Sequence, residues 1–209
     1  MQASAPIKLY RSVISGHAHR AELFLSLLGL PYAAIDIDLR AGQQKSPEFL
    51  SLNPFGQVPV IDDNGTVIAD STGILVYLAL KYADARWLPR DPIGAANVQR
   101  WLSVAAGDIA FGPATARMGS RFGMAVDMSG ARSRAERLFA VMEKELQARA
   151  WLAGAHPTIA DVAAYSYIAR APEGDISLAP YPSMRAWLAR IEGLPGFVPM
   201  IELPPAKAA

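Results

Sequence analysis

Asn53-Pro54-Phe55-Gly56-Gln57-Val58-Pro59-Val60-Ile61, followed by Asp70-Ser71-Thr72-Gly73-Ile74-Leu75-Val76-Tyr77-Leu78, is the stretch on which the fold turns. It reads as a loop, a short β-branched strand entered through a proline, a hairpin, and a helix opened by an acidic-Ser pair. Pro59 fits only the edge or the beginning of a strand, because it has no N–H to give a ladder. Asp62-Asp63-Asn64-Gly65 supplies the residues that a tight hairpin demands. Asp70-Ser71 precedes an apolar run, as an N-cap does. On these residues alone the Val58–Pro59 bond is expected to be trans, since cis X-Pro bonds are about 5–6% of the total in folded proteins.

Working outward, residues 7–10 read as a first strand and 19–29 as a helix, with Gly29 at its C-terminal end. From Ala33 to Leu39, Ile35, Ile37 and Leu39 alternate with Asp36 and Asp38, predicting a second strand. The polar stretch Arg40 to Ser46 leads to a short helix over 47–52. Strands at 58–62 and 66–69 form the hairpin, and a helix spans 71–82. The pattern is an α/β unit in the order βαβαββα. Asp84 to Pro92 reads as a linker, and strand signals vanish beyond it. A long helix is predicted over 93–118, kinked at Gly112-Pro113 because proline loses a hydrogen bond and clashes with the preceding turn. A loop spans Gly119 to Gly130. Helices follow at 131–149 (Ala135, Leu138, Met142 and Leu146 on one face), 159–170 and 183–192. Thr158 and Asp161 have capping-box spacing. The tail, Leu203 to Ala209, is expected to fray. The domains are therefore 1–83, a linker at 84–92, and an all-helical 93–209.

Bulk composition narrows the function. The chain of 209 residues is 52% hydrophobic, with net charge +1 and no cysteine. Near-neutral charge argues against a nucleic-acid partner. No run approaches the ~18 apolar residues of a membrane span, and Met1 to Pro6 lacks a signal-peptide pattern, so a soluble cytoplasmic protein is expected. The absence of cysteine excludes disulfides, thiolate metal sites and a C-x-x-C pair. His17-x-His19 has no third ligand nearby in sequence, where metal sites use three or four; no metal is expected.

The Val58-Pro59 strand entry and the Asp70-Ser71 helix start, with Trp151-Leu152-Ala153-Gly154 before Pro157-Thr158-Ile159-Ala160-Asp161-Val162-Ala163, resemble the glutathione transferase family. Tyr181-Pro182, Trp187-Leu188 and Leu194-Pro195-Gly196-Phe197 extend the resemblance over nearly the whole chain. It implies a thioredoxin-like N-terminal domain followed by an all-helical C-terminal domain. It also implies a cis Pro59, reversing the expectation from the residues, with Val58 pairing backbone to backbone with glutathione. Asp70 and Ser71 would hold the γ-glutamyl end; the alternative is that one of them merely caps the helix. Gln44 and Lys45 lie where the family grips the glycyl carboxylate.

Glutathione's thiol has a pKa of about 8.5, so little is thiolate at neutral pH, and a hydroxyl at a helix start favours the thiolate. Ser15 stands five residues before Arg20 and eight before Leu23, the spacing of the family's serine-type classes such as zeta. It is the catalytic candidate, with N-capping as its plain alternative and Ser12 and His17 as the next positions. Ser15-Gly16-His17 departs from the Ser-Ser-Cys signature of zeta enzymes, against their isomerase reaction. The acceptor pocket is expected at Ile14, Phe111, Thr115 and Met118, with Arg117 facing an anionic group. The resemblance implies a cytoplasmic homodimer that conjugates glutathione, as co-substrate rather than bound cofactor, to a hydrophobic electrophile in detoxification. Glutathione-dependent reduction of a disulfide or peroxide, or non-catalytic partner binding, are the alternatives; fold alone does not decide among them.

Overall fold

The computed structural model of the protein describes residues 5–203. Strands β1 (Ile7–Arg11), β2 (Tyr32–Asp36), β3 (Val60–Asp63) and β4 (Thr66–Ala69) form one sheet in the order β2-β1-β3-β4. The parallel β1–β2 pair is bridged by α1 (Gly16–Leu27), the crossover that parallel strands need. β3 is antiparallel to both β1 and β4. Asn64 and Gly65 have φ of 53° and 88°, as a two-residue turn with both residues left-handed requires. α2 (Pro47–Leu52) and α3 (Ser71–Tyr82) complete the βαβαββα order. Ile7, Leu9 and Ile61 of the sheet are buried with Leu23 and Phe24 of α1 and Ile74, Leu75 and Leu78 of α3 in one hydrophobic cluster.

Three of the boundaries that differ from expectation have clear local reasons. β2 stops at Asp36 instead of running to Leu39, because Asp38 Oδ1 accepts from the Arg40 and Ala41 N–H groups (2.9 and 3.0 Å) and turns the chain. β3 begins at Val60 instead of residue 58, after the proline that cannot donate to the ladder. α1 starts at Gly16 rather than residue 19, with Ser15 as its N-cap.

The helical domain comprises α4 (Pro92–Ala106), α5 (Thr115–Phe122), α6 (Met128–Ala148), α7 (Ile159–Ala169) and α8 (Pro182–Glu192). The single helix expected over 93–118 is broken twice. α4 ends at Gly107, whose ψ of −92° leaves the helical region, and a π-type turn at Ala110–Ala114 absorbs Pro113. The loop expected at 119–130 shrinks, because α5 runs on to Phe122 and Asp127 Oδ1 caps α6 through the Gly130 N–H at 2.9 Å.

Thr158 and Asp161 form the predicted capping box. Asp161, 1% exposed, also accepts from the Leu152 N–H and the Trp187 indole N–H, both at 2.9 Å. Leu203 is held by Glu173 Oε1 (3.3 Å); the rest of the tail expected to fray, and the first four residues, lie outside the described residues. No described helix is long and apolar enough to cross a membrane.

Candidate active site

Two helix N-termini from different parts of the sequence meet at the junction of the two domains. At the first, Ser15 caps α1: its Oγ accepts from the Ala18 N–H at 3.2 Å. The hydroxyl's own proton is left to donate elsewhere, since a serine oxygen accepts through lone pairs while its O–H stays available. At the second, Asp70 rather than Ser71 caps α3. Asp70 Oδ1 accepts from the N–H groups of Thr72 and Gly73, both at 2.8 Å, and from the Thr72 hydroxyl at 2.6 Å. Oδ2 takes none of these bonds. Burial pushes the Asp70 carboxyl upward, but the Thr72 and Gly73 hydrogen bonds outweigh it and hold its pKa below the usual carboxylate value.

Arg20 joins these two starts. Its side chain is fully buried, and its Nη1 lies 2.9 Å from His17 Nδ1 and 3.4 Å from Ser71 Oγ. Its Nη2 donates to the Ala105 carbonyl of α4 (3.3 Å), and its guanidinium lies 5.5 Å from the centre of the Tyr167 ring of α7. Burial draws its pKa down to about 10, against the pull of Tyr167 and Asp70, so it stays charged at neutral pH. No carboxylate among the described residues reaches it as an ion pair, and its Nε has no partner. A buried cation without a counter-ion costs several kcal/mol.

Close approach between the domains is built in at Gly16. A Cβ there would come within 2.7 Å of the Tyr167 ring, which also meets the His17 ring edge-on at 5.0 Å. His17 and His19 turn to different partners. His19 lies 2.9 Å from both Ser166 Oγ and the Val198 carbonyl. No group of three or more metal-ligating side chains gathers among the described residues.

The Val58–Pro59 bond is cis, and Val58 lies outside the ladder, whose pairing starts at Val60. The turn before it closes through Gly56 N–H to the Asn53 carbonyl at 2.8 Å. Gly56 has φ 59°, and a Cβ there would come within 2.7 Å of the Gln44 carbonyl and of Lys45 Nζ. The polar stretch that carries Gln44 and Lys45 is a 3₁₀ turn (Gln43–Lys45) packed on this loop. Lys45 Nζ donates to the Phe55 carbonyl at 3.1 Å, while Gln44 Oε1 is buried without a partner.

The expected acceptor residues divide. Arg117 is buried, not facing an open site: its Nε pairs with Glu173 (2.6 Å) and its Nη1 holds the Ile14 carbonyl (2.8 Å). Its charge is engaged, and it anchors the loop that presents Ser15. Phe111 is 64% exposed, Ile14 and Met118 are half-buried, and the Thr115 hydroxyl donates back to the Ala110 carbonyl at 2.9 Å. Ser12, the second hydroxyl considered, is buried, and its carbonyl accepts the Ser15 N–H at 2.9 Å. The role of Arg20 was not legible in the sequence, where it marks only a spacing; its partners Ala105 and Tyr167 lie far along the chain.

Known proteins share this architecture. Residues 14–81 match the family model for the glutathione S-transferase N-terminal domain, and residues 123–195 the model for its C-terminal domain. The chain is 33% identical to glutathione S-transferase 3 of Zea mays, across 98% of this chain and 99% of that one. It is 29% identical to the disulfide-bond oxidoreductase YfcG of Escherichia coli, across 86% of this chain and 87% of that one. The crystal structure of a glutathione S-transferase from Pseudomonas fluorescens superposes with a TM-score of 0.89 at 31% identity, covering 95% of this chain and all of that one. The chain belongs to the glutathione S-transferase family.

Proposed function

We propose that the protein binds glutathione along Val58 and Pro59 and activates its thiol at Ser15 for attack on an electrophilic small molecule. The observation that carries this reading is the Arg20 bridge, which brings the N-termini of α1 and α3 to one buried cation. Helix N-termini and a buried guanidinium together favour an anion. An extended tripeptide adds to an open strand edge through its main chain. Its γ-glutamyl carboxylate lies against Ser71, its ammonium on Asp70 Oδ2, and its glycyl carboxylate near Gln44 and Lys45, where Lys45 exchanges the Phe55 carbonyl for the ligand. In the reaction the S–H bond breaks and its proton passes to solvent. The sulfur's electron pair forms a bond to the acceptor carbon, and the leaving group departs with its own electrons. Ile14, Phe111, Thr115 and Met118 line the acceptor's side, and glutathione is a co-substrate rather than a resident cofactor. The reaction serves detoxification in the cytoplasm.

Retention on immobilised glutathione, with conjugation of chlorodinitrobenzene, tests this reading; no retention and no turnover would overturn it. The E. coli relative's name favours a second reading, glutathione-dependent disulfide reduction. Reduction of hydroxyethyl disulfide without conjugation would favour it over transfer.

Asp70→Asn is expected to weaken glutathione binding by about 1.5–3 kcal/mol, the size of a charge-assisted hydrogen bond, because the side chain keeps a capping oxygen but loses its charge. Asp70→Ala loses the cap too and costs about 1 kcal/mol of stability in addition. Calorimetry and thermal unfolding separate the two effects, and unchanged affinity in both variants would make Asp70 structural only. The pKa of Asp70 is depressed, so its charge and its support of the fold are present at neutral pH. Both are lost as pH falls through its folded pKa, below about pH 4.

The protein is also proposed to act as a homodimer. Val67 on β4, Leu80 on α3, Ile93 on α4 and Val141 on α6 are 39–76% exposed, the kind of apolar surface that a partner covers. Light scattering is expected to give twice the chain mass of 22.4 kDa; a value near 22.4 kDa would rule this out.

A further inference from the structure

The loop that presents Ser15 takes its hold from the far end of the chain. Arg117 of α5 is 1% exposed, and its Nη1 donates to the Ile14 carbonyl, one residue before Ser15, at 2.8 Å. A guanidinium is a planar, rigid fork, so fixing one side of it fixes the direction of the other. That other side is fixed by Glu173, itself buried, whose Oε2 accepts from Arg117 Nε at 2.6 Å. Glu173 sits on the 3₁₀ turn Ala171–Gly174 that follows α7. The turn is pressed against α5: a Cβ on Gly174 would come within 2.8 Å of the Arg117 backbone nitrogen, and Asp175 Oδ2 accepts from the Ser120 hydroxyl at 2.8 Å. Desolvation offsets much of the attraction within a buried ion pair; what this pair adds in any case is a fixed direction for Nη1.

The second oxygen of Glu173 meets the C-terminal segment: Oε1 accepts from the Leu203 N–H at 3.3 Å. That segment reaches it across both domains. The Ser26 hydroxyl of α1 donates to the Gly196 carbonyl (2.6 Å), and His19 Nε2 of α1 lies 2.9 Å from the Val198 carbonyl. Arg170, just past α7, donates to Glu202 Oε1 (2.6 Å) and to the Met200 carbonyl. One carboxylate thus joins, oxygen by oxygen, the end of the described chain to the cation that holds the Ile14 carbonyl.

We infer that Glu173 is a positioning residue for the reaction: through Arg117 it sets the place of the Ile14 carbonyl and so of the Ser15 hydroxyl, and the C-terminal segment, bonded to the same carboxylate, completes the hold. The inference rests on the role of Ser15 proposed above. Glu173 acts through Arg117, not by touching the reacting atoms.

Glu173→Gln keeps the shape of the side chain but turns one acceptor oxygen into an NH₂ donor, so it cannot serve both Arg117 and Leu203. In the full-length protein it is expected to lower kcat for chlorodinitrobenzene conjugation about ten- to a hundredfold, the effect of a small misplacement of a reacting group. Glutathione affinity by calorimetry is expected to stay unchanged, and the bound thiol to titrate at higher pH. The deciding measurement is a double-mutant cycle with Ser15→Gly. If Glu173 acts through Ser15, its substitution changes neither rate nor thiol titration once the hydroxyl is gone, while its effect on urea unfolding is the same in both backgrounds. A merely structural Glu173 lowers the rate by the same factor with or without that hydroxyl; this result, or a parent rate in Glu173→Gln, would overturn the inference. Arg117→Lys keeps a charge beside Glu173 but not the fork that reaches Ile14, and Leu203→Pro removes only the donor on Oε1. Both are carried through the same cycle, so the inference is decided even where Glu173→Gln does not fold. Each is expected to shift rate and titration only when Ser15 is present, Leu203→Pro by the smaller factor. A parent rate in Arg117→Lys would overturn the inference, and one in Leu203→Pro the part assigned to the C-terminal segment. Ser15→Gly with parent rate and titration would overturn the Ser15 role and this inference together; a slow Ser15→Gly with equal factors in both backgrounds would overturn this inference alone.

Discussion

Asp161→Ala is expected to destabilise the fold by about 4 kcal/mol or more, the largest stability loss predicted for any single change in this chain. The carboxylate is 1% exposed and serves three N–H donors and a hydroxyl at once. Oδ1 takes Leu152 N–H and the Trp187 indole, both at 2.9 Å; Oδ2 takes Thr158 N–H (2.9 Å) and Thr158 Oγ1 (3.1 Å). Those groups come from the 149–158 connection, the start of α7, and α8. Removing the acceptor leaves three buried N–H groups unpaired at about 1–3 kcal/mol each, and opens a void beside the fully buried Trp187. Asp161→Asn is the informative companion. It fills the space but presents one NH₂ toward donors, so it is expected to recover only part of the loss. Urea unfolding followed by circular dichroism measures both. A midpoint within about 0.5 kcal/mol of the parent for Asp161→Ala would show that water replaces the carboxylate at little cost.

The capping box within that hub was legible in the sequence, because it is a local pattern, a hydroxyl and then an acid three residues on; the Leu152 and Trp187 bonds to the same carboxylate, nine and 26 positions away, were not. α3 was read at its observed bounds, 71–82, for the same reason, since Asp70 and the apolar run after it are adjacent in the chain. Errors arose where side chains, rather than periodicity, decide the boundary. The alternation of Ile35, Ile37 and Leu39 continues past β2, but the Asp38 carboxylate turns the backbone first. Gly130 reads as loop, yet its N–H is the donor that lets Asp127 start α6. At the site, Ser15, Val58, Pro59, Asp70 and Ser71 were visible as motifs. What joins them was not. Arg20 meets Ser71, Ala105 and Tyr167 across 51, 85 and 147 positions, and no local spacing encodes such contacts. Arg117 was misread for the opposite reason: a cation on a helix near a pocket looks available, and only the fold reveals Glu173 beside it.

Ser15→Ala is expected to lower the conjugation rate roughly ten- to a thousandfold, about 1.4–4 kcal/mol of transition-state stabilisation, with glutathione affinity within a few-fold. The grip on the tripeptide resides in the strand edge and the α3 start, which this change does not touch. What it removes is an O–H donor at the point where sulfur develops charge. The remaining rate comes from the helix terminus itself: the first N–H groups of α1 have no intrahelical acceptor, and the terminus carries partial positive charge. Ser15 has two duties, and they separate by substitution. Alanine also deletes the cap on Ala18 N–H and is expected to cost about 1 kcal/mol of stability, whereas glycine costs only a few tenths as a cap while lacking the hydroxyl equally. Ser15→Gly is therefore expected to lose rate with little change in unfolding temperature. In both variants the bound thiol is expected to titrate at higher pH, because a hydrogen bond that favours the thiolate is gone. Thiolate absorbance in the ultraviolet, followed against pH at saturating glutathione, reads this without any acceptor present. If the variants titrate and turn over like the parent, the hydroxyl is only a cap, and the work of holding the thiolate falls to the helix terminus.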